Sequence, residues 1–170
     1  MDKLSQIHIA IEGRVSAIRS AHPDWLCAKG CDTCCRRLAE LPRLTKAEWG
    51  LLRPALAALP GERLAQIRRE VAAAAENSSG LVVCPLLDQS TGACPVYAQR
   101  PVACRSYGFY VQRELGLYCG DIEAQVAGGN LADVVWGNHD VIDRQLAALG
   151  EARPLDEWFA LWAAEESGVA

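Results

Sequence analysis

Apolar residues recur every three or four positions at the start of the chain. Five aliphatic residues share this spacing: Leu4, Ile7, Ile11, Val15 and Ile18. Such spacing places side chains on one face of a helix. Pro23 ends the pattern, because the residue before a proline is pushed out of helical geometry. The sequence therefore predicts an amphipathic helix that ends near His22.

The next third of the chain also carries helical signals. Thr45 and Glu48 have capping-box spacing, with a hydroxyl and a carboxylate three positions apart before an apolar run. A helix is expected to start there, with a break or kink near Pro54. A second helix is expected over residues 62–76, where aliphatic residues again follow helical spacing.

The C-terminal part predicts two more helices, over residues 140–149 and 155–166. The second of these carries Trp158 and Trp162 at i, i+4. Between the two groups of helices, residues 81–83 form a short apolar run that fits a strand. Residues 88–92 have turn chemistry, which predicts a small β-hairpin. The expected fold is mainly α, with helices packed around an irregular, cysteine-rich centre.

Composition supports one folded domain over residues 1–170. The chain is 51% hydrophobic and 22% charged, values typical of a globular protein. Its net charge of −4, without a basic run, argues against nucleic acid as a partner. No stretch of about 18 apolar residues predicts a membrane span. The first residues lack the pattern of a secretory signal, so we expect a cytoplasmic protein.

The eight cysteines change this picture, since a core does not require so many. Four of them fall within nine residues. In a reducing compartment, clustered thiols indicate metal or redox chemistry rather than disulfides. The alternative is that some are small buried apolar residues. All eight are candidate metal ligands: Cys27, Cys31, Cys34, Cys35, Cys84, Cys94, Cys104 and Cys119.

The spacing of the cysteines suggests how they are shared. Cys31 and Cys34 are separated by two residues, which lets two sulfurs converge on one centre, and Cys27 can join them. Cys34 and Cys35 are neighbours, so we expect their side chains to point apart and to have unequal roles. In the second group, Cys84 and Cys94 are expected to face each other across the hairpin.

Residue types narrow the metal to two kinds. Thiolates bind zinc and the irons of iron–sulfur clusters. The three histidines lie outside both cysteine groups. An all-sulfur set suits a cubane cluster and a tetrahedral zinc equally, although structural zinc sites usually show paired C-x2-C motifs.

The cysteine pattern also resembles a known family. Its elements are Cys27…Cys31-x2-Cys34-Cys35, Cys84-Pro85-x-Leu87-Asp88, and Cys94-x-Val96-Tyr97-x-x-Arg100-Pro101-x-x-Cys104-Arg105. This looks like the CxxCxxCC cysteine-cluster family (YkgJ type), over a module of about residues 25–120. One departure is the three-residue gap between Cys27 and Cys31. The resemblance implies a zinc- or iron-chelating domain, often one with an iron–sulfur cluster.

Two arginines flank Cys104 in sequence. Arg100 and Arg105 could offset the negative charge of a thiolate cluster, or donate hydrogen bonds near its sulfurs. Ordinary salt bridging is the alternative for both residues.

The sequence therefore predicts a protein that holds a metal centre through cysteine thiolates. The first hypothesis is an iron–sulfur cluster, of the 4Fe-4S type, with a redox or electron-transfer role. The alternatives are a zinc-stapled structural or interaction protein and a cluster-dependent enzyme of unknown reaction. A protein partner is compatible with each hypothesis.

Overall fold

The structure, a computed structural model, describes residues 1–77, 80–112, 116 and 119–168. It is mainly helical, with 54% of residues in helices. The predicted fold class is therefore confirmed. Within the described ranges there are seven α-helices: α1 (Lys3–Ala21), α2 (Lys46–Ala57), α3 (Gly61–Glu76), α4 (Val102–Ser106), α5 (Gly120–Ala127), α6 (His139–Ala147) and α7 (Leu155–Glu166).

The strands are short and form two separate pairs. They are β1 (Arg43–Leu44), β2 (Tyr110–Val111), β3 (Gly137–Asn138) and β4 (Arg153–Pro154). β1 and β4 pair in the antiparallel sense, whereas β2 and β3 pair in parallel. Two 3-10 turns, Cys34–Arg36 and Tyr97–Gln99, lie in the cysteine-rich part of the chain.

The chain folds into two compact units, each made from two separate segments. Unit 1 comprises Met1–Cys31 and Val102–Leu149, and unit 2 comprises Asp32–Pro101 and Gly150–Ala170. Each unit has its own apolar core. The single domain expected from the sequence stays a prediction.

The core of unit 1 forms around α1. The five aliphatic residues of its predicted apolar face are all buried, with at most 4% of each exposed. The helix ends at Ala21, as Pro23 predicts. α1 packs against α4 and α6, and Trp25 continues the core by stacking on Phe109 with ring centroids 5.7 Å apart. The N-terminal prediction is confirmed.

A close backbone approach joins β2 to β3 in unit 1. Tyr110 pairs with Gly137 across the two strands. A Cβ at Gly137 would overlap the ring of Tyr110. Only glycine therefore fits at this position, because any other residue would push β3 away from the aromatic ring.

The start of α2 in unit 2 shows the predicted capping box. Thr45 accepts a hydrogen bond from the backbone N–H of Glu48, and the Glu48 carboxylate accepts one from the backbone N–H of Thr45 at 2.8 Å. Both residues are buried. The helix continues through Pro54 to Ala57, so the chain does not break there. A kink at Pro54 stays a prediction.

Three tryptophans fill the core of unit 2. Trp49 of α2 stacks on Trp158 of α7 and meets Trp162 edge-on, with centroids 5.8 and 5.9 Å apart. The Trp158 indole N–H donates to the carbonyl of Leu44 at 2.9 Å, which ties α7 to β1. Aromatic side chains bury large apolar areas, so this cluster is a main source of stability. The predicted helix over residues 155–166 is confirmed.

The remaining predicted elements differ in detail from those in the structure. Residues 81–83 contribute a single antiparallel bridge, from Val82 to Leu38, rather than a strand. The run was too short to pair further. The predicted hairpin exists as a bridge between Asp88 and Ala93. Among the described residues, no helix is long and apolar enough to cross a membrane.

Removing the capping hydroxyl should destabilise unit 2. We expect Thr45→Ala to lower the free energy of unfolding by about 2 kcal/mol, because a helix cap and a donor to a buried carboxylate are both lost. Urea unfolding followed by circular dichroism measures this change. Thr45→Ser retains the hydroxyl and should stay within about 0.5 kcal/mol of wild type. Equal losses in both variants would assign the effect to the methyl group instead.

Candidate metal centre

Backbone pairing brings the two cysteine groups of unit 2 together. Leu38 and Val82 exchange hydrogen bonds of 2.9 and 2.8 Å. The backbone N–H of Cys84 donates to the carbonyl of Cys35 at 2.7 Å. Two segments separated by roughly fifty residues therefore lie side by side, held by main-chain hydrogen bonds.

A tight turn then returns the chain from Cys84 to Cys94. The backbone N–H of Asp88 donates to the carbonyl of Ala93 at 2.9 Å, and the Asp88 carboxylate accepts from the backbone and hydroxyl of Ser90. These bonds lower the pKa of Asp88. Cys84 and Cys94 both pack against the core of unit 2, and their facing each other across the turn stays a prediction.

Four thiols interact in this region, and we call them the unit 2 thiol set: Cys34, Cys35, Cys84 and Cys94. The thiols of Cys34 and Cys35 hydrogen-bond to each other. Cys35 also hydrogen-bonds to Cys84, and the charge of Cys94 acts on it. Cys35 is thus the member that links the other three.

The contact between Cys34 and Cys35 corrects the expectation that their side chains point apart. That expectation suits an extended segment, where neighbouring side chains alternate between faces. The pair instead lies in the 3-10 turn Cys34–Arg36, where successive side chains are about 120° apart. Their unequal roles at a metal centre stay a prediction.

Three members of the thiol set, Cys34, Cys35 and Cys94, favour the protonated state. The hydrogen bond with Cys35, followed by burial, raises the pKa of Cys34 far above its ordinary value. For Cys35, the hydrogen bond with Cys34 lowers the pKa, but the bond with Cys84 and burial outweigh it and raise the pKa to about 12. Burial also raises the pKa of Cys94. A metal that binds here must displace these protons.

Two arginines place positive charge near Cys94. The charges of Arg100 and Arg63 oppose the effect of burial on the Cys94 pKa. Arg100 lies over the ring of Tyr97, 3.9 Å from its centroid, and donates to the Tyr97 carbonyl at 2.9 Å. Arg63 of α3 donates to the carbonyls of Leu86 and Leu87 at 3.4 and 3.1 Å.

Arg63 was missed by the sequence analysis. It lies some twenty positions before Cys84, on a helix whose surface carries several other charged residues. No local pattern distinguishes it from them. Only the packing of α3 against the loop after Cys84 gives it a role.

The other four cysteines belong to unit 1 and differ in exposure. Cys119 is buried at the start of α5, Cys27 is half-buried, and Cys31 and Cys104 are exposed. Cys104 lies on α4 together with the half-buried Arg105. Cys31 is in unit 1 and Cys34 in unit 2, and their convergence on one centre stays a prediction.

Cys27 is held in place by its neighbours in unit 1. Its thiol donates to the carbonyl of Tyr107 at 3.6 Å. The carbonyl of Cys27 accepts a 2.8 Å hydrogen bond from Arg19 of α1. A Cβ at Gly108 would lie 3.2 Å from the Cys27 sulfur, and the positive φ of Gly108 also favours glycine.

The unit 2 thiol set has the chemistry that a zinc or iron centre needs. All eight cysteines lie in the described ranges, and none forms a disulfide. Four neighbouring sulfurs supply a full set of thiolate ligands. In the part of the chain that the structure describes, however, no three potential ligands already stand in a metal-binding arrangement.

Comparison with known families agrees with this donor set. The model of the CxxCxxCC family, described as "Putative zinc- or iron-chelating domain", matches residues 26–123. The chain belongs to this family. The match covers more than half of the chain and all eight cysteines. CxxCxxCC membership supports metal binding by the cysteines and leaves zinc and iron as the two candidates.

The other two comparisons returned nothing. No curated protein and no solved structure matches this chain. The family match and the geometry of the thiols therefore carry the functional inference.

The raised thiol pKa values predict how the metal-free protein responds to alkali. Folded Cys35 titrates near 12 and an ordinary cysteine near 9.0. The protonated Cys35 thiol therefore contributes its full stabilisation below about pH 9. This stabilisation is lost as the pH rises toward 12, because the thiol ionises at a lower pH in the unfolded chain than in the folded protein. We expect the free energy of unfolding of reduced, chelator-treated protein to fall over this range, as measured by urea unfolding.

The control for this experiment is Cys35→Ser, which lacks the thiol but retains the other alkaline titrations of the chain. Its stability should decline less steeply above pH 9 than that of wild type. Parallel profiles for the two proteins would contradict the prediction.

Proposed function

We propose that the unit 2 thiol set holds an iron–sulfur cluster. The observation that carries this proposal is the set of four interacting thiols within one compact unit. Iron–sulfur clusters are typically held by four cysteine thiolates. The set contains no C-x2-C pair, the motif usual in structural zinc sites. Adjacent Cys34 and Cys35 suit a cluster because each can bind a different iron.

The arginines near Cys94 support an anionic centre. A cluster with four thiolates carries net negative charge, and hydrogen bonds or charges near its sulfurs set its reduction potential. Arg63 and Arg100 supply positive charge at this place. We assign Arg100 the charge-balancing role expected from the sequence and add Arg63. Arg105, on α4 with Cys104, is proposed to act in the same way in unit 1.

A redox role is the function we infer for such a cluster. When bound, the cluster would supply a site that accepts and releases one electron. For electron transfer, a redox partner has to come close to the cysteine ligands of the cluster. A cavity of about 310 Å³ opens beside Cys84 and is lined by Val82, Val83 and Pro85, among others. Leu81 and Val83 of this lining are exposed, and Glu70, Asn77 and Gln89 also line it, so a redox partner would meet a mixed polar and apolar surface next to this ligand.

Zinc is the second candidate, and one contact favours it. The sulfurs of a tetrahedral site are about 3.8 Å apart, given a Zn–S bond of about 2.3 Å. The thiols of Cys34 and Cys35 hydrogen-bond to each other, so two sulfurs of one ligand set lie close together. A zinc ion bound by the same four cysteines would cross-link the two cysteine segments of unit 2. The protein would then have no redox chemistry at this centre.

The cysteines of unit 1 remain proposed ligands. Family membership covers Cys27, Cys31, Cys104 and Cys119, and exposed thiols such as Cys31 and Cys104 can reach a metal from solution. We propose that they form a second ligand group. A protein whose ligands are all thiols requires a reducing compartment, so we also propose a cytoplasmic location.

Metal analysis separates the two candidates. Protein purified without exposure to oxygen should contain iron and acid-labile sulfide in similar amounts. It should also absorb visible light and lose part of that absorption on reduction. Stoichiometric zinc without sulfide, in protein never exposed to oxygen, would overturn the iron–sulfur proposal and favour the zinc staple.

Serine substitutions test which cysteines hold the metal. Cys34→Ser, Cys35→Ser and Cys84→Ser should each lower the bound metal, because serine oxygen is a poor ligand for these metals. Cys34→Ser and Cys35→Ser should differ in the metal retained. Val83→Ser introduces the same residue at an exposed neighbouring position and should retain full metal content. Wild-type metal content in all three cysteine variants would refute the assignment to unit 2, and Cys104→Ser then tests unit 1.

A further inference from the structure

A separate cavity lies in unit 1, away from the residues proposed to bind metal there. Its volume is about 570 Å³, and it is bounded by α1, β2, β3 and α6. Small-molecule sites typically occupy about 300–1,000 Å³. The cavity exists because α1 presents Ala10, Gly13 and Ala17 along this side, and these residues leave space that larger side chains would fill.

The walls of the cavity are largely apolar. Ile7 and Ile11 of α1, Val141 and Ile142 of α6, and Trp136 before β3 contribute the apolar surface. Val141 remains 39% exposed although it faces this space. An apolar ligand would therefore remove surface from water that folding leaves exposed.

Two polar groups in the cavity are available to a ligand. Tyr110 lines the cavity and is 7% exposed. Its hydroxyl is a donor and acceptor that a ligand in the cavity can contact. Arg14 also lines the cavity and donates one hydrogen bond, to the carbonyl of Val135 at 3.2 Å. Its charge acts on Tyr110, which places the two groups near each other.

The charge that lines the cavity is positive. Arg14 is its one charged residue in the described part of the chain, and the other polar side chains are the amides of Asn138 and Gln145. α6 also carries Asp143, but its carboxylate pairs with His139 at 3.0 Å and does not line the cavity. A guanidinium accompanied only by neutral groups among the described lining residues selects an anion, and its planar set of donors suits a carboxylate.

We propose that this cavity binds a small organic acid, with a carboxylate head on Arg14 and Tyr110 and an apolar chain along α1 and α6. The head would accept hydrogen bonds from the guanidinium and the hydroxyl. The chain would cover Ile7, Val141 and Trp136. This site is independent of the metal proposal, since none of its lining residues is a cysteine.

The probe for this site is octanoate, with octanamide as its neutral counterpart. Titration of ¹⁵N-labelled full-length protein with octanoate should shift the indole N–H signal of Trp136 and the backbone signals of residues 137 and 138 in a saturable manner. The Trp136→Phe variant assigns the indole signal. Octanamide should bind about tenfold more weakly, because it cannot form charge-assisted hydrogen bonds.

Two variants test the charged group and the space of the cavity separately. Arg14→Gln should weaken octanoate binding about tenfold and leave octanamide binding within about twofold. Gly13→Leu should abolish binding of both probes by filling the cavity. A Cβ at Gly13 meets no described atom within 4 Å outside its own helix, and leucine favours a helix more than glycine does, so this variant should fold.

Gly50→Leu is the matched control. Gly50 lies in α2 of unit 2, and a Cβ there also meets no described atom within 4 Å outside its own helix. It should leave octanoate binding unchanged. The proposal is overturned by the absence of saturable shifts at millimolar octanoate, by equal binding of the two probes, or by unchanged binding in Gly13→Leu. Loss of binding in Gly50→Leu would likewise reject this cavity as the site.

Discussion

The hydrogen bonds between residues 35–38 and 82–84 are the contact on which the thiol set depends. They hold Cys35 and Cys84 side by side, although roughly fifty residues separate them in sequence. Closing a loop of that length costs conformational entropy. The helices α2 and α3 lie within this loop and bury their apolar faces in the core of unit 2, so folding of the core offsets the cost before any metal binds.

The core of unit 2 and the candidate metal centre are connected through Arg63, Cys84 and Cys94. Arg63 connects α3 to the carbonyls that follow Cys84, and Cys84 and Cys94 themselves pack on the core. A displacement of α3 would therefore move both the loop and the positive charge beside Cys94. Stability and metal affinity are expected to change together, because the same contacts serve both.

Local features of this protein could be predicted from sequence, and long-range ones could not. The apolar face of α1, the Thr45–Glu48 capping box and the Asp88 turn each depend on residues a few positions apart, so their spacing is visible in the chain. The contact between Cys34 and Cys35 depends on a 3-10 turn that no periodicity marks. The division of the cysteines between two units and the place of Arg63 depend on tertiary packing, which a single sequence does not display.

The alternation of the two units along the chain has a consequence for synthesis. Unit 1 is interrupted by residues 32–101, and unit 2 is completed only by residues 150–170. Two of the three core tryptophans of unit 2 belong to α7. A nascent chain therefore exposes Trp49, and leaves the core on which Cys84 and Cys94 pack incomplete, until α7 has emerged from the ribosome. During that interval the chain depends on its surroundings to keep those thiols reduced and its apolar surface from aggregating.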